Sequence, residues 1–162
     1  MGLCFLHPGD VVIALAGDRV ETLLGSCISA ILTDSERTVG AICRVVHSSQ
    51  HAQARQRATA QCHEAIDAMY AHLKSSGLDP TLCDAFVFGG GNMFPDLIGG
   101  GHVGEDNAHR VLSRLEQDGI RILQRHVGGP LYRRVSWIVG RGAPLVTAFE
   151  MNGKSAFTRI RA

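Results

Sequence analysis

The sequence predicts an α/β fold, a single-domain layered sandwich of mixed or antiparallel β-sheet with two long helices. The chain has 162 residues, which is about the size of one domain. Short apolar and β-branched runs that end in turn residues recur along it, and such runs are typical of strands. Two longer segments repeat apolar residues at the spacing of one helix face. No internal repeat or linker divides residues 1–162, so we expect one domain.

Strands are predicted in the first third of the chain, at 11–15, 19–24, 26–32 and 38–46. The first run ends at the turn pair Gly17-Asp18. Residues 34–37 are predicted to connect the last two strands as a hairpin.

Two amphipathic helices are predicted, over 52–75 and 105–118, because apolar residues recur there every three or four positions. The predicted core-facing residues are Cys62, Ile66, Met69 and Leu73 on the first helix and Ala108, Val111, Leu112 and Leu115 on the second. Further strands are predicted at 83–88, 120–124, 133–139 and 145–149. The polar and basic composition of residues 152–162 predicts a loose tail.

The composition excludes several classes of protein. Hydrophobic residues make up 45% of the chain and charged residues 19%, as in ordinary globular proteins. A formal net charge of +1 gives no strong field toward nucleic acid. The apolar runs are far shorter than the roughly 18 residues of a membrane span, so no membrane insertion is expected. The N-terminus lacks the features of a secretory signal, which predicts a cytoplasmic protein.

The cysteines leave two interpretations open. There are five, with no C-x-x-C pair, so a disulfide framework is not expected. In Gly25-Ser26-Cys27, a turn of small residues would place the thiol at the rim of a sheet, with backbone N–H groups nearby. Cys27 is therefore either a nucleophile or a buried core residue.

Neither a metal site nor a cofactor is predicted. Cys43, His47 and His51 are spaced four apart, but Cys43 falls in a predicted strand, so the three would not share a helix face. Gly99-x-Gly101-x-x-Gly104 has the spacing of a dinucleotide-binding loop, but no convincing strand precedes it. A glycine-rich loop that shapes a cleft for a protein substrate fits this segment as well.

Four segments of the sequence, in order, resemble the chemoreceptor glutamine deamidases of the CheD family. They are TLLGSCISA at 22–30, FGGGNMF at 88–94, VGEDN at 103–107, and VGG at 127–129 with Arg133-Arg134. The resemblance implies an α/β sandwich that hydrolyses the side-chain amide of particular glutamines to glutamate and ammonia, through a thioester. It places the nucleophile on Cys27. The implied partners are the cytoplasmic domain of methyl-accepting chemoreceptors and a chemotaxis aspartyl-phosphate phosphatase.

The sequence departs from the family pattern at the proton carrier. The family has its catalytic histidine seventeen residues after the cysteine, where this chain has Arg44. Its Thr or Ser six residues before the cysteine is Glu21 here, and Thr22 follows at once. A guanidinium beside a thiol favours the thiolate, but arginine neither donates nor accepts a proton near neutral pH. Histidine does both.

His47 is the nearest substitute for the missing histidine, and His51 is a more remote one. Side chains alternate along a strand, so His47 would reach Cys27 only through a bulge or the end of the strand. The predicted catalytic residues are Cys27, His47 and Thr22, and the predicted substrate-binding residues are Ser26, Arg44, Gly90, Gly91 and Asn92. Three hypotheses remain: a cysteine-dependent glutamine deamidase, a deamidase fold that only binds its partners, and a thiol hydrolase of another amide.

Overall fold

The structure is a computed structural model that describes residues 1–46, 52–93, 103–150 and 158–160. Within these ranges the chain forms two long helices, α1 (Ala52–Ser75) and α2 (Val103–Gln117). The strands are β1 (Leu3–Phe5), β2 (Val11–Leu15), β3 (Arg19–Leu24), β4 (Ile28–Thr33), β5 (Val39–Val45), β6 (Asp84–Gly89), β7 (Arg121–Val127), β8 (Leu131–Ile138), β9 (Leu145–Glu150) and β10 (Thr158–Ile160). No helix in the described part of the chain is both long enough and apolar enough to cross a membrane.

The strands form two five-stranded sheets. The first has the order β1-β3-β8-β9-β10 and the second β2-β5-β4-β6-β7. Each sheet contains one parallel pair, β1 with β3 and β6 with β7, and its other pairs are antiparallel. The predicted layered α/β sandwich with mixed sheets is therefore confirmed.

The second sheet is the middle of three layers. One of its faces packs under the helices, where Ile66 and Leu73 of α1 are fully buried. Its other face, with Ile31 and Phe86, packs against Trp137 and its neighbours on the first sheet. All six residues of β4 are buried, because β4 lies at the centre of this middle layer.

Both predicted helices and the predicted hairpin are present. The core-facing residues predicted on α1 are fully buried, and those predicted on α2 are buried or, for Leu112, partly buried. β4 and β5 pair as the expected antiparallel hairpin. However, β4 begins at Ile28 rather than at residue 26, because Ser26 and Cys27 belong to the connection that crosses from the first sheet to the second.

Two short edge strands were not predicted. β1 pairs in parallel with β3, and β10 pairs with β9 through Thr158–Ile160. The prediction of a loose tail is therefore wrong for these three residues; the rest of 152–162 lies outside the described residues. Each strand has only three residues, too few for a periodic pattern, and each is stabilised by ladder hydrogen bonds to a longer neighbour.

A polar cluster fastens α1 to the end of α2. Tyr70 donates a hydrogen bond to Asp118 Oδ2 (2.7 Å), and Arg114 Nε donates another to the same oxygen (2.7 Å). Burial raises the pKa of the Asp118 carboxyl, but these two hydrogen bonds, together with the charges of Arg114 and His63, outweigh that effect, and its pKa is lowered overall. The ionised carboxylate thus stabilises the folded state.

We expect Tyr70→Phe to lower the free energy of unfolding by about 1 kcal/mol at neutral pH, because it removes one hydrogen bond to a charged group. A carboxyl with a lowered folded pKa stabilises the fold above its unfolded pKa, and this contribution is lost as the pH falls through the folded value. The difference between wild type and variant should therefore shrink below about pH 4 in urea titrations. Tyr132→Phe is the matched control, since the hydroxyl of Tyr132 has no hydrogen-bond partner among the described residues. Equal losses in both variants would contradict the prediction.

Candidate functional site

The candidate site is centred on the short connection Gly25-Ser26-Cys27. This connection links β3 of the first sheet to β4 of the second, so it lies where the two sheets meet. Cys27 is 9% exposed and packs with the core residues between the sheets. The residue is thus largely enclosed by protein, with a small accessible remainder.

Three successive carbonyl groups of this connection are held by donors from distant parts of the chain. The Gly91 N–H donates to the Gly25 carbonyl (2.9 Å), and the Gly90 N–H donates to that of Cys27 (2.8 Å). The carbonyl of Ser26 accepts a hydrogen bond from Asn107 Nδ2 of α2 (2.9 Å). The backbone around Cys27 is therefore fixed from both sides.

Only glycine fits the segment that faces this connection. Gly89 has a φ of +114°, and a Cβ atom there would overlap the carbonyl oxygen of Cys27. A Cβ on Gly90 would lie 2.7 Å from the carbonyl oxygen of Gly104, and one on Gly104 would overlap the carbonyl oxygens of Gly90 and Gly91. The glycine-rich segment and the start of α2 thus pack directly against each other, and the glycine-rich segment packs against the backbone of Cys27.

Arg44 lies beside the sulfur of Cys27, and Thr22 lies beside Arg44. Arg44 Nη2 is 3.8 Å from Cys27 Sγ, and Arg44 Nη1 donates to Thr22 Oγ1 (3.4 Å). Both Arg44 Nη1 and Thr22 Oγ1 also donate to the carbonyl of Leu6, at 3.1 and 3.2 Å. Pairing of Ser29 with Arg44 between β4 and β5 places the arginine next to the start of β4. The sequence-predicted residues 22, 27 and 44 are therefore brought together.

Of the two adjacent polar residues that precede the cysteine on β3, Thr22 contacts Arg44, whereas Glu21 does not. Glu21 accepts hydrogen bonds from Arg134 (3.1 Å) and Ser136 (3.4 Å). Because side chains alternate along β3, these two neighbours point to opposite faces, and Thr22 lies on the face of Arg44. Thr22 thus contacts the side chain that occupies position 44.

The predicted proton carrier His47 and the alternative His51 lie outside the described residues, as do Gly99 and Gly101. Within the described ranges, Arg44 is the side chain that makes a polar contact with Cys27 Sγ. Gly90 and Gly91, predicted to bind substrate, use their N–H groups for hydrogen bonds to the carbonyls of Cys27 and Gly25. Asn92 donates its N–H to the carbonyl of Gly129 (2.8 Å).

The buried Arg133 stabilises the loop that contacts the glycine-rich segment. This role was not predicted from the sequence. Arg133 is 1% exposed, donates from Nε to His126 Nδ1 (2.7 Å), and donates from Nη2 to the carbonyl of Gly128. Burial lowers the pKa of Arg133 to about 10 and also lowers that of His126. The Gly128 N–H in turn donates to the carbonyl of Gly89 (3.0 Å), so the arginine braces the loop behind the glycine segment.

A groove of about 940 Å³ lies beside the site, between β5, the start of β2 and α1. Arg44 lines it together with Pro8, Gly9, Val11, Val45, Val46, Gln53, Ala54, Arg57, Ala58, Gln61, Glu64 and Ala65. The arginine therefore borders the groove with one part of its side chain and contacts the Cys27 sulfur with its end.

The fold and the site define a two-sheet α/β protein with a cysteine-centred site at the crossing between its sheets. A family model described as CheD chemotactic sensory transduction matches residues 46–147. The chain belongs to the CheD family. This confirms the resemblance seen in the sequence.

Curated relatives agree with the family assignment. A protein of Albidiferax ferrireducens named probable chemoreceptor glutamine deamidase CheD 2 is 32% identical over 142 residues, which are 85% of this chain and 82% of the relative. Proteins named probable chemoreceptor glutamine deamidase CheD are similar in Pseudomonas savastanoi (26% identity, 96% of this chain and 92% of the relative). The same name is carried by a relative in Methanococcus maripaludis (27% identity, 86% of this chain and 95% of the relative).

Proposed function

We propose that this chain converts glutamine side chains of chemoreceptors to glutamate, with Cys27 as the nucleophile. The observation that carries the proposal is the position of Cys27: a thiol at a rigid crossing, beside a guanidinium, in a chain whose relatives are named chemoreceptor glutamine deamidases. The partner is the cytoplasmic domain of a methyl-accepting chemoreceptor. A cytoplasmic location is supported by the five cysteines, all of which are free thiols.

The reaction proceeds in two halves. The Cys27 thiolate attacks the carboxamide carbon of glutamine, and the resulting tetrahedral intermediate expels nitrogen as ammonia after the nitrogen gains a proton. This leaves a thioester between Cys27 and the substrate. Water then adds to the thioester, and the C–S bond breaks to give the glutamate carboxylate and the free thiol. The net reaction consumes one water molecule and releases one ammonia molecule.

In the family pattern one histidine both activates the cysteine and transfers protons. In this chain we assign the first role to Arg44 and the second to His47. The Arg44 guanidinium favours the thiolate through its charge, at a distance of 3.8 Å. It does not transfer protons near neutral pH. We assign proton transfer to His47, because it is the histidine nearest to β5 in the chain.

The test of the proposal is an assay of the purified full chain with a chemoreceptor cytoplasmic domain. We expect release of ammonia together with conversion of specific glutamines to glutamates, read by mass spectrometry of receptor peptides. Binding of the receptor domain without any ammonia release would overturn the proposed activity.

The contact between Arg44 and Cys27 favours a second candidate, a deamidase fold that binds chemoreceptors or an aspartyl-phosphate phosphatase without turnover. In this alternative the guanidinium replaces the proton carrier, and the thiol has no partner that can protonate the leaving nitrogen. Wild type would then be inactive, and Arg44→His would introduce deamidation. Detectable turnover by wild type excludes this candidate.

We expect His47→Gln to lower kcat for deamidation by about 10²-fold, because the proton for the leaving ammonia would come from water. The matched control is His51→Gln, which removes a histidine four residues further from β5 and should leave kcat within about twofold. Both variants are compared with wild type in the ammonia assay. If the two substitutions had the same effect, the assignment of His47 would be wrong.

A further inference from the structure

The orientation of the peptide groups at Cys27 follows from the three held carbonyls. All described peptide bonds are trans, and in a trans peptide the N–H points away from the C=O of the same unit. Since the carbonyls of Gly25 and Ser26 point toward the glycine segment and α2, the N–H groups of Ser26 and Cys27 point the other way. Neither N–H donates a hydrogen bond within the described part of the chain. Two unused donors therefore lie in the two successive peptides that lead into Cys27.

One of the three holding contacts comes from a side chain. Asn107 is 2% exposed, and its Nδ2 donates to the Ser26 carbonyl at 2.9 Å. Its Oδ1 accepts a hydrogen bond from Arg110 Nη1 (3.4 Å), and Arg110 Nε donates to Thr59 Oγ1 of α1 (3.1 Å). Because arginine only donates, this contact fixes Oδ1 as the acceptor and turns Nδ2 toward Ser26.

We propose that Asn107 is a positioning residue that holds the Ser26–Cys27 peptide with its N–H facing the reacting carbonyl. When the Cys27 sulfur attacks a carbonyl carbon, the carbonyl oxygen becomes an oxyanion. The N–H groups of Cys27 and Ser26 donate to this oxyanion; Asn107 prevents that of Cys27 from turning away, and the Gly91 N–H does the same for that of Ser26. This inference rests on Cys27 being the nucleophile of the proposed function.

The contact is well placed for this role because it joins the peptide to a rigid element. Asn107 lies in the second turn of α2, whose first turn packs against Gly90 and Gly91 through Gly104. Removing one oxyanion donor from an enzyme lowers the rate by about 10²- to 10³-fold. Loss of a residue that only orients the donor should cost less, and we expect about 10- to 100-fold.

The test compares two reactions of the same sulfur. Acylation by p-nitrophenyl acetate passes through an oxyanion and releases p-nitrophenolate, whereas alkylation by iodoacetamide displaces iodide at a saturated carbon without an oxyanion. Rates at Cys27 are read by mass spectrometry, with Cys27→Ala as the blank. In Asn107→Asp an acceptor oxygen replaces the donor nitrogen, so we expect acylation to fall at least about tenfold while alkylation stays within about twofold.

Two further variants keep the test decisive. Arg110→Ala removes the hydrogen bond that holds Asn107 Oδ1, and it should lower the ratio of acylation to alkylation less than Asn107→Asp does. If Asn107→Asp does not fold, Arg110→Ala serves as the test. His109→Ala, on the exposed side of the same helix, should leave the ratio unchanged. Equal changes of both rates in the folded variant would overturn the inference. Neither reaction uses a receptor glutamine, so a failure of the proposed deamidation is seen separately, in the ammonia assay.

Discussion

Replacement of Cys27 with alanine is expected to abolish deamidation, lowering kcat/KM for a receptor glutamine by more than about 10³-fold. The physical reason is that both halves of the reaction form or break a bond to this sulfur, and Ala provides no substitute nucleophile. The fold should persist, because the substitution removes one sulfur atom from a core side chain, at a cost of about 1 kcal/mol. Activity is measured as ammonia release and stability by urea denaturation. Receptor binding should be retained.

The matched control for this substitution is Cys43→Ala. Cys43 is fully buried in β5, directly before Arg44, and burial raises the pKa of its thiol to about 12. It is therefore a protonated, inaccessible thiol that cannot attack a substrate. The control should keep most of the activity and lose stability. Activity in Cys27→Ala equal to that of Cys43→Ala would rule out Cys27 as the nucleophile.

Gly104→Ala is expected to have the second-largest effect, a loss of at least about 3 kcal/mol in the free energy of unfolding together with a loss of deamidation. A Cβ at this position overlaps the backbone carbonyls of Gly90 and Gly91, which cannot move without breaking their bonds to the Cys27 connection. Relief of the overlap therefore displaces either α2 or the glycine segment. The measurements are urea denaturation and the iodoacetamide rate of Cys27.

Gly2→Ala is the control for the general effect of adding a methyl group to a glycine. A Cβ there would lie 3.4 Å from the Asp18 carboxylate, an ordinary contact, so stability should change by less than about 0.5 kcal/mol. A similarly small change in Gly104→Ala would show that the start of α2 can withdraw from the glycine segment without cost.

The helices and strands with a periodic pattern of apolar residues were predicted from the sequence. Apolar spacing placed α1 at its observed bounds, and the turn residues after Leu32 predicted the β4–β5 hairpin. The strands β1 and β10 were not predicted, because each of them forms only by hydrogen bonding to a longer strand. Pairing of this kind depends on tertiary structure and leaves no local pattern in three residues.

The candidate site was predictable in part. The resemblance placed Cys27, Arg44 and Thr22 in one set, and the structure brings Arg44 within hydrogen-bonding range of each of the other two. The role of Asn107 was not predicted, because its contact with Ser26 spans 81 residues of sequence. Asn107 lies four residues before the buried Val111 and therefore on the same face of α2. A polar residue on this apolar face was the one sequence feature that indicated a special role for Asn107.

Arg133 shows a second limit of local patterns. It alternates with the buried Val135 and Trp137 along β8, so parity along the strand places it toward the interior. Sequence alone does not identify the partners that make a buried guanidinium tolerable, since His126 and the Gly128 carbonyl come from the preceding strand and loop. Only the folded arrangement supplies them.

The connection that carries Cys27 belongs to neither sheet and spans the gap between them. Its geometry therefore depends on the relative position of the two sheets. Substitutions around Trp137, in the interior between the layers, would shift one layer against the other and thereby alter the position and reactivity of the Cys27 sulfur. The reactivity of this thiol can therefore be changed from the interior of the protein, while its surface stays the same.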